Sequence, residues 1–181
     1  QQRINESDSA YISLTPKRHM GRTIGFFYVN GEPLLSIGPH WILFVCTWLG
    51  MIAFGVYVAG NQAPGAMKNW LIVVIVLQAL IYLLTALKNP GIMSAHDPCN
   101  PSLKAYEKYP NFCSKCRILK DKTTMHCSLC DICIRGYDHH CPWTGKCIGK
   151  GNILPFYLFL LSTCVYFAFC MICSFHSLKQ A

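Results

Sequence analysis

Charge is what this sequence has least of. In 181 residues there are only 8 Asp and Glu against 16 Lys and Arg, for a net charge of +8 at pH 7. Three long stretches hold no charge at all: "WILFVCTWLGMIAFGVYVA" at 41–59, "WLIVVIVLQALIYLLTAL" at 70–87 and "ILPFYLFLLSTCVYFAFCMICSF" at 153–175. A helix rising ~1.5 Å per residue crosses ~30 Å of hydrocarbon in about 20 residues, so each run is long enough to span a membrane. The alternative, three helices buried in a soluble core, needs more surrounding protein than 181 residues provide, because helices apolar on every side must be covered on every side. With 52% hydrophobic residues and a mean hydropathy of +0.30, the expected class is an α-helical integral membrane protein with at least three transmembrane helices.

About 40 mostly polar residues precede the first run, which excludes a cleaved signal peptide there. A chain that opens on Gln1 rather than methionine is expected to be a trimmed piece of a longer one. The basic residues are unevenly shared. Arg3, Lys17, Arg18 and Arg22 precede the first run and Lys68 lies between the first two. Ten more fall from Lys88 to Lys150, and Lys179 follows the last run. The positive-inside rule then places segment 1–40 and segment 88–152 in the cytoplasm, with a lumenal loop at 60–69 and a short truncated tail at 176–181 on the far side. The excess of positive charge reads as membrane topology and attraction to anionic lipid rather than as a nucleic-acid surface.

Cysteine, by contrast, is abundant, at 12 residues. Cys46, Cys164, Cys170 and Cys173 sit inside the apolar runs as small packing side chains, and Cys99 has no assignment. The other seven lie between Cys113 and Cys147, on the face expected to be reducing, where disulfides rarely persist and metal binding is favoured. They run Cys113-x2-Cys116, then His126-Cys127-x2-Cys130-x2-Cys133, then Asp138-His139-His140-Cys141-x5-Cys147. Close-set Cys-x-x-Cys pairs suit a tetrahedral zinc. Seven cysteines with His126, His139 and His140 make ten candidates, while two closed four-ligand sites need eight. If 138–141 runs extended, its side chains alternate faces, so His139 and Cys141 share one face and His140 turns to the other. His140 can then serve a metal, while His139 and Cys141 have the makings of a base and a nucleophile. That all ten bind metal, or that the spare pair only packs, stays open on spacing alone. The Cys-x-x-Cys units lack interleaved aromatic residues, which argues against a nucleic-acid module.

The motifs "CSKC" at 113–116, "HCSLCDIC" at 126–133 and "DHHC" at 138–141, with Cys147, Asn152 and Phe156, resemble the DHHC family of protein S-acyltransferases (palmitoyltransferases). The likeness extends to the order of spans, two before the cysteine-rich segment and one after. It implies a cytoplasmic cysteine-rich domain of short β-hairpins and loops holding two structural zinc ions. One ion would be bound by Cys113, Cys116, His126 and Cys133, the other by Cys127, Cys130, His140 and Cys147. It also implies Cys141 as nucleophile, His139 as its general base and Asp138 as the group orienting that histidine. In a strictly extended strand Asp138 would face away from His139, so a turn is expected to bring it round.

The resemblance implies transfer of a long-chain acyl group, palmitoyl above all, from acyl-CoA to cysteine thiols of proteins by a ping-pong route. An ordinary cysteine, with pKa ~8.5, is only a few per cent ionised at neutral pH, so a neighbouring histidine helps. Lys120, Lys122, Lys146 and Lys150 are candidates for the CoA phosphates. Trp143 and Tyr166, with Tyr157, Phe159 and Phe167 nearby, are candidates for the acyl chain. Gly145, Gly149 and Gly151 are too loosely spaced for a phosphate-cradling loop. Expected partners are membrane lipid, substrate proteins with cytoplasmic juxtamembrane cysteines and accessory or complex subunits; nucleic acid is not expected. The expected location is an endomembrane of the ER or Golgi, or the plasma membrane. The family usually has a fourth span followed by a Thr-Thr-x-Glu element, whereas this chain stops after "HSLKQA". Its Asp-Pro-Gly motif is here Asn89-Pro90-Gly91. A non-catalytic membrane subunit that keeps the zinc scaffold for assembly is the alternative.

Overall fold

A computed structural model describes residues 20–29, 32–93 and 109–179; Cys99 and most of segment 1–40 lie outside them. The three uncharged runs form helices: α1 over Trp41–Asn61, α2 over Gly65–Leu87 and α3 over Ile153–Leu178. The helices are longer than the runs, so the first connection is only 62–64 rather than 60–69. Pro64 sets the break. Its ring restricts the residue before it and removes a backbone donor, while its own extended backbone makes it the start signal for α2. At the other end Pro90 limits how far α2 can run. Pro155 is tolerated in the first turn of α3, where backbone N–H groups have no intrahelical partner.

α2 is the central helix, packing on α1 and α3. Gly55 of α1 permits the close approach, since a Cβ there would lie 2.7 Å from the Ile75 side chain. Polar side chains inside the bundle find partners: Trp48 Nε1 donates to Ala79 O at 3.0 Å, Tyr166 Oη to Met51 O at 2.7 Å and Gln78 Nε2 to Thr163 Oγ1 at 2.8 Å. Within the most apolar stretch of each helix only 22%, 33% and 22% of residues are buried by protein. Apolar surface on that scale must be covered by lipid, and the protein is an integral membrane protein.

Between α2 and α3 lie three small antiparallel hairpins: β3 (Phe112–Cys113) with β4 (Ile118–Leu119), β5 (Met125–Cys127) with β6 (Ile132–Ile134), and β7 (His139–Cys141) with β8 (Lys146–Ile148). Their core is Ile92, Ile118, Ile132 and Ile134 surrounded by cysteines. A fourth hairpin was not expected. Residues 20–40, read from the sequence as part of a solvated segment, contain β1 (Ile24–Val29) paired with β2 (Glu32–Ile37). This hairpin docks on the cysteine-rich domain and on the end of α2. Arg22 N–H donates to Cys130 O at 2.7 Å, Asn89 N–H donates to Leu34 O at 3.0 Å, and Leu35 bridges to Lys88.

Candidate metal centres and active site

Two Cys-x-x-Cys turns begin the site. In each, the N–H of the second cysteine donates to the sulfur of the first: Cys116 to Cys113 at 3.5 Å and Cys130 to Cys127 at 3.4 Å. The following residue takes a left-handed backbone, Arg117 at φ 54° and Asp131 at φ 54°, which turns the chain back on itself. Hairpin register supplies the remaining donors, setting His126 opposite Cys133 and His140 opposite Cys147. The result is two groups, Cys113, Cys116, His126 and Cys133 in one and Cys127, Cys130, His140 and Cys147 in the other. Within each, the donor atoms lie within 4.8 Å of one another. The chain order interleaves them, so neither group can form without part of the other's chain.

The spacing suits a tetrahedral ion. With Zn–S ~2.3 Å and Zn–N ~2.0 Å, the edges of such a tetrahedron are about 3.5–3.8 Å. His126 Nδ1 lies 3.6, 3.3 and 3.9 Å from the sulfurs of Cys113, Cys116 and Cys133. His140 Nδ1 lies 3.5, 3.4 and 3.6 Å from those of Cys127, Cys130 and Cys147. Electrostatics point the same way. A hydrogen bond from Cys133, then contact with His126, lowers the Cys116 thiol to about 5, and hydrogen bonds from Cys130 and Cys147 push Cys127 down as well. The partner thiols move oppositely: Cys133 is pushed up by its bond to Cys116, Cys147 by its bond to Cys127, and Cys130, bonded to Cys127, to about 12. Thiols packed this closely oppose one another's ionisation, and a bound cation would offset that opposition. These groups could each hold a metal ion, and their chemistry fits zinc.

The strand β7 carries both His140, a member of the second group, and Cys141, which belongs to neither. Its alternation sends His140 toward Cys127, Cys130 and Cys147 and places His139 with Cys141 on the other face. Asp138 stands just ahead of the strand, its N–H donating to Ile148 O at 3.0 Å. The chain turns at Arg135 and Gly136, just before Asp138, whose Oδ2 lies 3.0 Å from His139 Nδ1. The ring of His139 meets Phe156 edge-on, centroids 5.2 Å apart. Cys141 is buried and stands outside both ligand groups. The hairpin's turn rests on the bundle. Tyr82 Oη donates to Trp143 O at 2.7 Å, and Thr144 Oγ1 bonds Cys141 O at 3.2 Å. Tyr82 lies five residues before the end of α2, so the contact is made from the last two turns of that helix.

The family profile described as DHHC palmitoyltransferase matches residues 106–181. Residues 106–181 thus carry a DHHC palmitoyltransferase domain. Among curated DHHC relatives, it is similar to palmitoyltransferase ZDHHC18 of Mus musculus, 26% identical over 81% of this chain and 46% of that one. It is 44% identical to palmitoyltransferase ZDHHC14 of Mus musculus over 38% of this chain and 15% of the relative. With palmitoyltransferase ZDHHC9 of Homo sapiens it shares 51% identity over 28% of this chain and 14% of the relative. The matched region thus covers less than half the length of these relatives.

Several expected contacts of the DHHC domain look different in three dimensions. Lys146 cannot meet a CoA phosphate: it is 1% exposed, and its Nζ donates to Ser36 O at 2.7 Å, Ser36 Oγ at 3.0 Å and Lys88 O at 2.8 Å. Burial pushes its ammonium down to about 7, against an opposing pull from the neighbouring Cys130 and Cys147. Lys122 and Lys150 are exposed and Lys120 half-buried. Trp143 is 60% exposed, and Tyr157 and Phe167 face outward too. Tyr166 lines a cavity between the helices with Trp48, Gln78 and Tyr82, but its volume of about 10 Å³ holds about one water rather than an acyl chain. Asn89 keeps the turn geometry without a carboxylate. Its Oδ1 accepts from the N–H groups of Gly91 and Ile92, both at 2.9 Å, and its Nδ2 donates to Pro33 O at 2.7 Å. Ser36, Lys88 and Pro33 were not singled out in the sequence, because only the docked hairpin brings them here.

Proposed function

We propose that this protein is a protein S-acyltransferase, moving a long-chain acyl group such as palmitoyl from acyl-CoA to cysteine thiols of other proteins. One observation carries the reading. Of the seven cysteines between Cys113 and Cys147, six belong to the two ligand groups. Cys141 alone is left, on the strand whose first residue, His139, is paired with Asp138. A thiol two residues from an oriented imidazole, on the same face of a strand, is the arrangement of an activated nucleophile.

In this reading Asp138 holds Nδ1 of His139, leaving Nε2 to take the proton of Cys141. The thiolate attacks the thioester carbonyl, the carbon–sulfur bond to CoA breaks, and the proton passes to the departing CoA sulfur. In the second step His139 takes the proton of the incoming protein cysteine. That thiolate displaces Cys141, which regains a proton. Zinc, when bound in closed four-ligand sites, supplies structural support rather than Lewis acidity. The basic residues flanking the spans favour a cytoplasmic cysteine-rich domain, with the 62–64 connection on the opposite side. Lys122 and Lys150 remain free to meet anionic CoA phosphates. The acyl chain would extend along the membrane part, where each buried CH₂ contributes ~0.8 kcal/mol; Tyr166 and Trp143 are candidates to contact it once the helices part. Membrane lipid, and proteins with cysteines close to the cytoplasmic surface, are the matching partners.

The test is auto-acylation. Detergent-solubilised, zinc-loaded protein incubated with labelled palmitoyl-CoA should gain a hydroxylamine-labile adduct, absent in Cys141→Ala at equal zinc content. A label that survives in Cys141→Ala would move the nucleophile elsewhere. No label on the zinc-replete protein would favour a non-catalytic membrane subunit.

A further inference from the structure

His40 is the residue at which α1 begins, yet its side chain makes no capping hydrogen bond to the helix. It turns instead to the cysteine-rich domain. Its Nδ1 lies 2.8 Å from Nε2 of His140, with the rings edge to face, centroids 5.0 Å apart and planes at 77°. The opposite nitrogen of His140, Nδ1, faces the three sulfurs of its ligand group at 3.4–3.6 Å. A nitrogen so placed binds a metal through its lone pair, so the neutral ring carries its proton on Nε2. Nε2–H of His140 therefore donates and Nδ1 of His40 accepts.

We propose that His40 is a positioning residue, holding His140 in the tautomer and ring orientation that bind metal and thereby seating the strand of Cys141 on the start of membrane helix α1. The proposal rests on reading the second ligand group as a zinc site. Metal-bound histidines ordinarily offer their second nitrogen to a carboxylate, a carbonyl or water, and losing that partner typically weakens metal binding 10–100-fold. Here the partner comes from a membrane helix 100 residues away in sequence. The same residue grips the hairpin a second time, through its backbone: His40 N–H donates to Gly145 O at 3.1 Å. Gly145, at φ 78°, admits this approach, since a Cβ there would stand 3.2 Å from His40 O. One residue thus contacts both the ligand next to Cys141 in sequence and the turn that follows it. Among the described residues the first ligand group has no such tie to a helix. His126 Nε2 stands 3.5 Å from Asp131 Oδ1 within its own loop, so the loss of His40 acts on the second group first.

The experiment compares the full chain with His40→Leu and His40→Asn. Asparagine presents an oxygen close to where Nδ1 stands and can accept the same bond; leucine cannot. Zinc content is measured by elemental analysis, zinc release by transfer to a chromogenic chelator, and site geometry by the visible spectrum of cobalt-substituted protein. The wild type should hold two ions. His40→Leu should release one of them about 10–100-fold faster, with a shifted cobalt spectrum and slower auto-acylation. His40→Asn should recover the wild-type release rate and spectrum. Wild-type release in His40→Leu, or equal damage in both variants, would overturn the proposal by leaving His40 as a packing residue. A wild type without zinc would instead remove the metal-site reading beneath it, and the wild-type measurement shows this before any variant is compared.

Discussion

A single histidine pair, adjacent in sequence, divides two kinds of chemistry in this protein. His140 turns its Nδ1 into a cage of sulfur, and His139 turns its Nδ1 to a carboxylate 3.0 Å away. The difference is the period-two alternation of a three-residue strand. Alternation was legible in the sequence, and so were the ten cysteine and histidine candidates; how eight of them divide into two groups was not legible from spacing, because it depends on which hairpin lies against which turn. If His139 is the base, His139→Gln should slow acyl-enzyme formation at neutral pH about 10²–10⁴-fold. The loss should shrink as pH rises, because the thiolate fraction then grows without help from a base. Asp138→Asn, which keeps the shape and removes the charge, should show a smaller loss in the same direction. Rates of adduct formation between pH 6 and 9, at unchanged zinc content, decide this. An unaltered rate in His139→Gln would leave Cys141 without the proposed base.

At the scale of elements, the hairpin of β1 and β2 is the part least visible in the sequence. Its strands bear exposed Phe27, Tyr28 and Leu34, Phe27 takes a left-handed φ of 51°, and the second residue of β2 is Pro33. No alternating pattern survives such irregularity. Its partners, Asn89, Cys130 and Lys146, lie more than 50 residues away. The same distance explains why Lys146 looked like a phosphate contact: a lysine beside a metal ligand is ordinarily solvated, and the three oxygens that enclose it come from Ser36 and Lys88. Lys88 O belongs to the C-terminus of α2, whose partial negative charge favours an ammonium. Lys146 thereby ties β2, α2 and β8 together, directly opposite Cys141 in the hairpin register. Lys146→Met should destabilise the protein, each buried acceptor left without a donor costing about 1–3 kcal/mol. Lys150→Met, at an exposed site, should change stability by less than about 0.5 kcal/mol. Thermal unfolding of both variants in the same detergent gives the comparison, and equal midpoints would contradict the buried role.

For the whole molecule, the two halves are held together by different forces. The helices were legible because lipid, unlike a folded core, places no demand on pattern: a run of about 20 uncharged residues is signal enough. The hairpins between them have strands of two or three residues and a core of isoleucines packed among cysteines, too small to fold unaided. Bound zinc contributes ~10–16 kcal/mol of apparent free energy in such modules, as much as the whole stability of a typical domain. Stripping the metal should therefore unfold one half and spare the other. After a strong chelator is added to the detergent-solubilised protein, residues 109–152 should become open to protease, while α1, α2 and α3 should keep their helical circular dichroism. Auto-acylation should be lost as the ions leave and return with added zinc if the loops refold. Because the ligand groups interleave, with His126 and Cys127 adjacent yet in different groups, loss of either ion should disturb the other. The single variants Cys116→Ser and Cys130→Ser should each weaken both sites rather than one. Elemental analysis of the purified variants reads this directly: a clean drop from two ions to one, with undiminished affinity for the second, would show that the groups fold independently despite sharing their chain.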